Sequence, residues 1–155
     1  MRRIAALVVV VLVAGGVTTS IALGRSNAHT ATAATVGARS TKLGKVLVNA
    51  KGVTLYLFEK DKHGKSACTG ACARAWPPLV VKGRPTASGG VHANLLGTTH
   101  RSDGTTQVTY AGHPLYTYIG DNKRPGKTTG EGSKAFGAEW YVLGVNGRKI
   151  EHEGS

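Results

Sequence analysis

The chain has 155 residues, of which 41% are hydrophobic, 22 are Gly and 5 are Pro, and 20 Lys and Arg stand against 8 Asp and Glu for a formal net charge of +12. That length allows one domain or two very small ones, and this apolar content excludes disorder of the whole chain. The 2 cysteines exclude a multi-bridge disulfide framework and a four-cysteine zinc site.

Met1-Arg2-Arg3 leads into an apolar run from Ile4 to Val17. A basic head followed by such a run has the form of a secretory signal. Thr18, Thr19 and Ser20 interrupt it, but reading on through Ile21 to Gly24 gives a stretch long enough for a spanning helix. Residues 1–24 are therefore expected to be either a signal peptide or an N-terminal membrane anchor, and the protein to be exported. Residues 25–41 are rich in Ala and Thr and lack aromatic side chains, so they are expected to form a flexible tether. Residues 42–155 are expected to form the folded part.

That folded part is a duplication. Gly52-x-x-Leu55-Tyr56-x-Phe58-x-x-Asp61 matches Gly112-x-x-Leu115-Tyr116-x-Tyr118-x-x-Asp121 with every offset kept. Each copy is later followed by a W-x-x-L segment, Trp76 to Leu79 in the first and Trp140 to Leu143 in the second. Repeat one is expected over about 43–81 and repeat two over about 95–147.

Each copy reads as β structure. Lys45 to Asn49 and Val53 to Phe58 are two β-prone runs across a Gly-bearing turn, as are Thr105 to Tyr110 and Leu115 to Ile119. Strand alternation places Tyr56 with Phe58, and Tyr116 with Tyr118, on one face, with Leu55 and Leu115 on the other. Further strands are expected over Leu95–His100, Trp140–Val145 and Arg148–Glu151, with turns at Ser102-Asp103-Gly104 and Asn146-Gly147. One short helix is expected near 68–75, with Ser66 as its cap and Trp76-Pro77-Pro78 as its stop. The fold class is mainly β: two related hairpin repeats packed as one small domain, because neither unit can bury its aromatic face alone.

These motifs, with the Cys68-x-Gly70-x-Cys72-Ala73-x-x-Trp76-Pro77-Pro78 segment and the run Gly104 to Tyr116, resemble a bacterial family of exported proteins. Its members are described as secreted repeats, or as predicted lipoproteins with a Y-x-[FWY]-x-x-D motif. The resemblance implies export, a duplicated β unit and no established biochemical activity. This chain departs from the lipoprotein members in having no cysteine before Cys68, so N-terminal lipidation is not supported.

Among the candidate chemistries, Cys68 and Cys72 come first. In an oxidising compartment their expected state is a disulfide, and their spacing can meet the separation of roughly 4.4–6.8 Å between Cα atoms that this requires. The alternative is an extracytoplasmic thiol-redox or copper protein, with His63 as a third ligand beside the two thiolates. The leading reading needs no cofactor. The Tyr/Asp motifs read either as core or as a repeated aromatic pocket for a glycan or planar ligand, with Asp61 and Asp121 as polar anchors. Gly120 to Thr128 has one residue too many between its glycines for a phosphate loop, and the six histidines are scattered singly. No catalytic residue is assigned.

The basic excess does not indicate nucleic acid, because its cations are spread over turns and not interleaved with the aromatic faces. It suits anionic envelope polymers or lipid head groups, with membrane contact otherwise only through an uncleaved N-terminal segment. The expected function is an exported, non-catalytic envelope or extracellular module.

Overall fold

The computed structural model describes residues 33–151, so the expected signal or anchor of residues 1–24, and the tether up to residue 32, lie outside the described residues. The architecture is mainly β, with three small sheets and one short helix. Strands β1 (Thr35–Thr41), β2 (Gly44–Asn49) and β4 (Thr86–Ala87) form the first sheet in the order β2-β1-β4. Strands β3 (Tyr56–Phe58) and β8 (Trp140–Val142) pair antiparallel. Strands β5 (Leu96–His100), β6 (Thr106–Tyr110) and β7 (His113–Pro114) form the third sheet, in that order.

The duplication holds in three dimensions. The hairpin β1–β2 corresponds to β5–β6, and the segment after each hairpin turns back to carry the Leu-Tyr pair. Asn49 shapes the first turn: its Oδ1 accepts the N–H groups of Lys51 and Val53 at 2.9 and 3.1 Å. In the second, Ala111 and Gly112 both have positive φ (49° and 83°), the mirror-image geometry that suits the right-handed twist of the strands.

Two expectations need correction. Residues 35–41, expected in the tether, are strand β1, in register with β2 from Val36↔Asn49 to Thr41↔Gly44 and parallel to β4 at Thr35↔Thr86. Main-chain pairing on both sides, together with the buried Val36 and Ala34, supplies what the weakly apolar composition does not. The second correction concerns the helix, α1, which covers Ala71–Ala75 and has no side-chain cap. Ser66 lies outside it and is used elsewhere.

Strand alternation separates two cores. Leu55, Leu57 and Leu115 point into one with Val36, Leu47, Val108 and Leu143. Tyr56, Phe58 and Tyr116 point into the other with Val46, Val142, Trp76, Trp140 and both cysteines. The expectation that Tyr and Leu of the motif face opposite ways thus becomes a physical division of the domain.

Candidate functional site

The second core holds the repeated motif, and its two copies are interlocked. Tyr56 and Tyr116 lie side by side on antiparallel segments and exchange both main-chain hydrogen bonds, at 2.8 and 3.0 Å. Each phenol then reaches the carboxylate of the other repeat. Tyr56 Oη donates to Asp121 Oδ2 at 2.8 Å, and Tyr116 Oη donates to Asp61 Oδ2 at 2.7 Å.

The other carboxylate oxygens close the loops that diverge between the repeats. Asp61 Oδ1 accepts the Ala67 N–H at 2.7 Å; Asp121 Oδ1 accepts the Thr129 N–H at 3.0 Å and its hydroxyl at 2.7 Å. The aspartates therefore do what such a residue does at the start of a glycine-rich loop, at longer range. Burial pushes both phenols above the ordinary tyrosine range, and their carboxylate partners push the same way. They therefore stay protonated and act as donors. Burial also raises the Asp61 carboxyl, against the opposing pull of the Ala67 N–H, the Tyr116 hydroxyl and the nearby Arg101.

Around this clasp the rings form a continuous column. Tyr118 stacks on Trp76 (centroids 4.2 Å apart), Trp76 on Trp140 (3.9 Å) and Trp140 on Phe58 (4.0 Å). Tyr56 meets Trp76 edge-on at 5.3 Å, and Tyr116 meets Trp140 edge-on at 5.1 Å. The edge contacts suit the ring quadrupoles. Every ring in the column touches one from the other repeat, so neither repeat completes its core alone. Gly130 is required here, because a Cβ at that position would lie 2.6 Å from the Trp76 ring.

The motif residues are consequently inside. Tyr56, Tyr116, Trp76, Trp140, Leu55 and Leu115 are fully buried, Phe58 is 2% exposed and Asp121 1%. Asp61 and Tyr118 are half-buried, and Gly52 and Gly112 stand in the turns that follow strands β2 and β6. The polar atoms of the two Tyr/Asp pairs are spent on each other and on the loops they close.

Cys68 and Cys72 form a disulfide across 5.2 Å between Cα atoms, and both are buried in this core. In that state neither sulfur is a thiolate. His63, at the exposed surface, has a positive φ of 50°. Among the described residues no three His, Cys, Asp or Glu side chains are placed to hold a metal ion.

The sequence does not single out a residue that ties the disulfide loop to the second repeat. The Arg101 side chain is 2% exposed. Its Nη2 donates to the Cys68 carbonyl at 2.8 Å, and its Nη1 to Ser66 Oγ at 2.7 Å and Gln107 Oε1 at 2.8 Å. Its Nε faces Asp103 Oδ2 at 3.1 Å. Gln107, fully buried, passes the chain of bonds on to the Leu115 carbonyl at 2.8 Å. Ser66 Oγ lies 2.8 Å from Tyr116 Oη, joining this network to the clasp. An arginine beside a Ser-Asp-Gly turn reads as a surface residue, and nothing in the repeat offset marks it, since its counterpart is Thr41.

Among the described residues no helix is long and apolar enough to cross a membrane. No curated protein and no solved structure matches the chain. A family model for a secreted repeat of unknown function matches residues 37–80 and again 97–143, more than half of the chain, with the two matches offset as the two copies of the motif are. The chain belongs to that secreted-repeat family.

Proposed function

We propose that the protein is an exported, non-catalytic module whose interior is a rigid, disulfide-closed scaffold and whose basic surface binds anionic envelope polymers or lipid head groups. The observation that carries this reading is how the polar groups are divided. The carboxylates and phenols of the two Tyr/Asp pairs are used up in the core, whereas among the described residues the lysines, and every arginine but Arg101, lie outside it. Among the described residues only Arg101, Lys134 and Lys149 stand in ion pairs. The remaining exposed cations face solvent, where they attract a polyanion with a strength that salt screens. Residues 1–24 serve export, as a cleaved signal or as a retained anchor that holds the domain where such polymers occur.

The test is binding of the exported chain to a phosphate-bearing polysaccharide and to phosphatidylglycerol vesicles over a salt series. Association that weakens as salt rises is the expected result. No association with either probe at low salt would overturn the proposal.

A further inference from the structure

The two ends of the aromatic column differ. Phe58 closes one end and is 2% exposed. Tyr118, at the other end, is only half-buried and forms part of the wall of a groove of about 400 Å³. Beside it Ile119 is 57% exposed, an aliphatic side chain left open next to an aromatic ring. Asn49 and Asn122 line the same groove, as do Lys51 and Lys123, and no acidic residue does.

The polar groups of this groove are held in place. Asn49 Oδ1 is occupied by the Lys51 and Val53 N–H groups, which turns its amide NH2 into the group available to a ligand. Asn122 uses its NH2 on the Gly120 carbonyl at 3.2 Å, which leaves its side-chain oxygen as the acceptor. Asn122 and Lys123 both adopt left-handed backbone (φ 50° and 57°), a conformation that must be imposed on residues of this kind. Main-chain bonds from the Asn122 N–H to the Ile119 carbonyl (3.0 Å) and from the Arg124 N–H to the Asp121 carbonyl (2.9 Å) bracket this turn, and the Asp121 carboxylate before it is fixed by Tyr56 and Thr129. The repeated motif thus supplies one side chain to this wall, Tyr118, and fixes Asp121 next to it.

Resting on the surface-binding reading above, we propose that this groove is the specific site for one phosphate-bearing sugar unit of an anionic glycan. A sugar ring has an apolar face and a rim of hydroxyls. The first matches Tyr118 and Ile119, and the second matches one amide donor and one amide acceptor. The phosphate lies between Lys51 and Lys123. A fatty chain would leave both asparagine amides unpaired, and a neutral sugar would leave both lysines unused. The groove volume is at the small end of small-molecule sites, the size for a single ring unit. Another apolar groove, between Val80-Val81 and Gly104 to Thr106, has no aromatic ring and one cation, Lys82.

The experiment titrates the full exported chain with a phosphorylated dextran, with unmodified dextran and inorganic phosphate as controls. Tryptophan emission is the readout, because Tyr118 lies against Trp76. Lys51→Gln/Lys123→Gln is compared with Lys65→Gln/Lys82→Gln, which removes the same charge elsewhere on the surface. The expected result is a loss of about tenfold in affinity for the groove pair and no more than about twofold for the control pair. Ile119→Ser, which leaves the charge unchanged, should also weaken binding. Equal losses from both lysine pairs, or inorganic phosphate competing as well as phosphorylated dextran, would overturn the groove while leaving the general surface reading intact. Absence of binding by the wild-type chain at low salt would overturn both.

Discussion

Tyr56 and Tyr116 sit across from each other as a pair that exchanges both backbone hydrogen bonds, at 2.8 and 3.0 Å, and each then bonds through its phenol to the aspartate of the opposite repeat. The exchange is reciprocal, as a pseudo-twofold relation between the repeats requires. Duplication here does not produce two units that merely touch. It produces one core in which each copy supplies half of each Tyr/Asp pair.

Breaking that clasp should cost more on one side than on the other. Tyr56→Phe leaves the Asp121 carboxylate, 1% exposed, short of a donor, and should destabilise by about 1–3 kcal/mol. Tyr116→Phe should cost less, because Asp61 is half-buried and water can replace the lost donor. Urea unfolding of both variants, and of the Tyr56→Phe/Asp121→Asn double variant, measures the coupling. Additive effects in the double variant would mean that the bond across the repeats contributes nothing.

Gly130→Ala should destabilise by roughly 1–3 kcal/mol through overpacking, since the new methyl would lie 2.6 Å from the Trp76 ring. The backbone at Gly130 is also anchored, its N–H donating to Tyr56 Oη at 3.3 Å. The column must therefore shift, and the tryptophan emission should change along with the melting temperature. An unchanged spectrum and melting temperature would show that the ring has room.

The disulfide closes a very short loop, so its stabilisation should be modest, on the order of 2 kcal/mol by chain-entropy reasoning. Cys68→Ser/Cys72→Ser should remain folded with a lower melting temperature. A thiol count on denatured, unreduced protein should find no free thiol. Two free thiols would mean that the exported protein keeps the pair reduced.

Glu131 supplies one part of the pH dependence, with a defined sign. Burial lifts its carboxyl from 4.5 to about 7, although its Oε2 accepts the Val142 N–H at 2.6 Å. In the unfolded chain the group ionises near 4.5, so between that pH and about 7 the unfolded state loses a proton that the folded state keeps. This contribution therefore lowers stability as pH rises through that window and is constant above it. Glu131→Gln keeps an acceptor for Val142 and removes the penalty. Its stability relative to wild type should rise by about 1–2 kcal/mol between pH 4.5 and pH 8, after allowance for partial exposure. Denaturation curves at both pH values test this, and a difference that does not change with pH would refute it.

Arg101 is the costliest single side chain in the polar network. Arg101→Ala would leave Gln107 Oε1 without a donor inside the fold and the Cys68 carbonyl with only the Ser66 hydroxyl at 3.4 Å, at a cost of about 2–4 kcal/mol. Arg101→Lys should rescue only part of it, because a single ammonium cannot reproduce the fork that reaches Cys68, Ser66, Gln107 and Asp103 together. Full rescue by lysine would mean that charge alone matters at this position.

The internal repeat, the mainly β class, the turn residues and the opposite directions of Tyr56 and Leu55 are all legible in the sequence, because each follows from local spacing and backbone chemistry. Strand β1 is legible in principle, since the offset that carries Gly112 onto Gly52 also carries Leu95–His100 onto residues 35–40. Composition argues against it, because Val36 is the one strongly apolar residue in that stretch, and pairing partners on both sides are not written locally.

Three things only the tertiary structure decided. Asp61 serves Tyr116 rather than its own Tyr56, and Asp121 serves Tyr56, because antiparallel pairing of the two motifs brings each loop over the other repeat. Arg101 is buried, because the disulfide loop folds over it. One end of the aromatic column is open and the other closed, because the loops around two nearly identical motifs differ. The sequence by itself determined which residues share a strand face, since that depends on alternation along a strand. Which inward residues meet depends on contacts between segments far apart in the chain, and those are set only when both copies pack into one core.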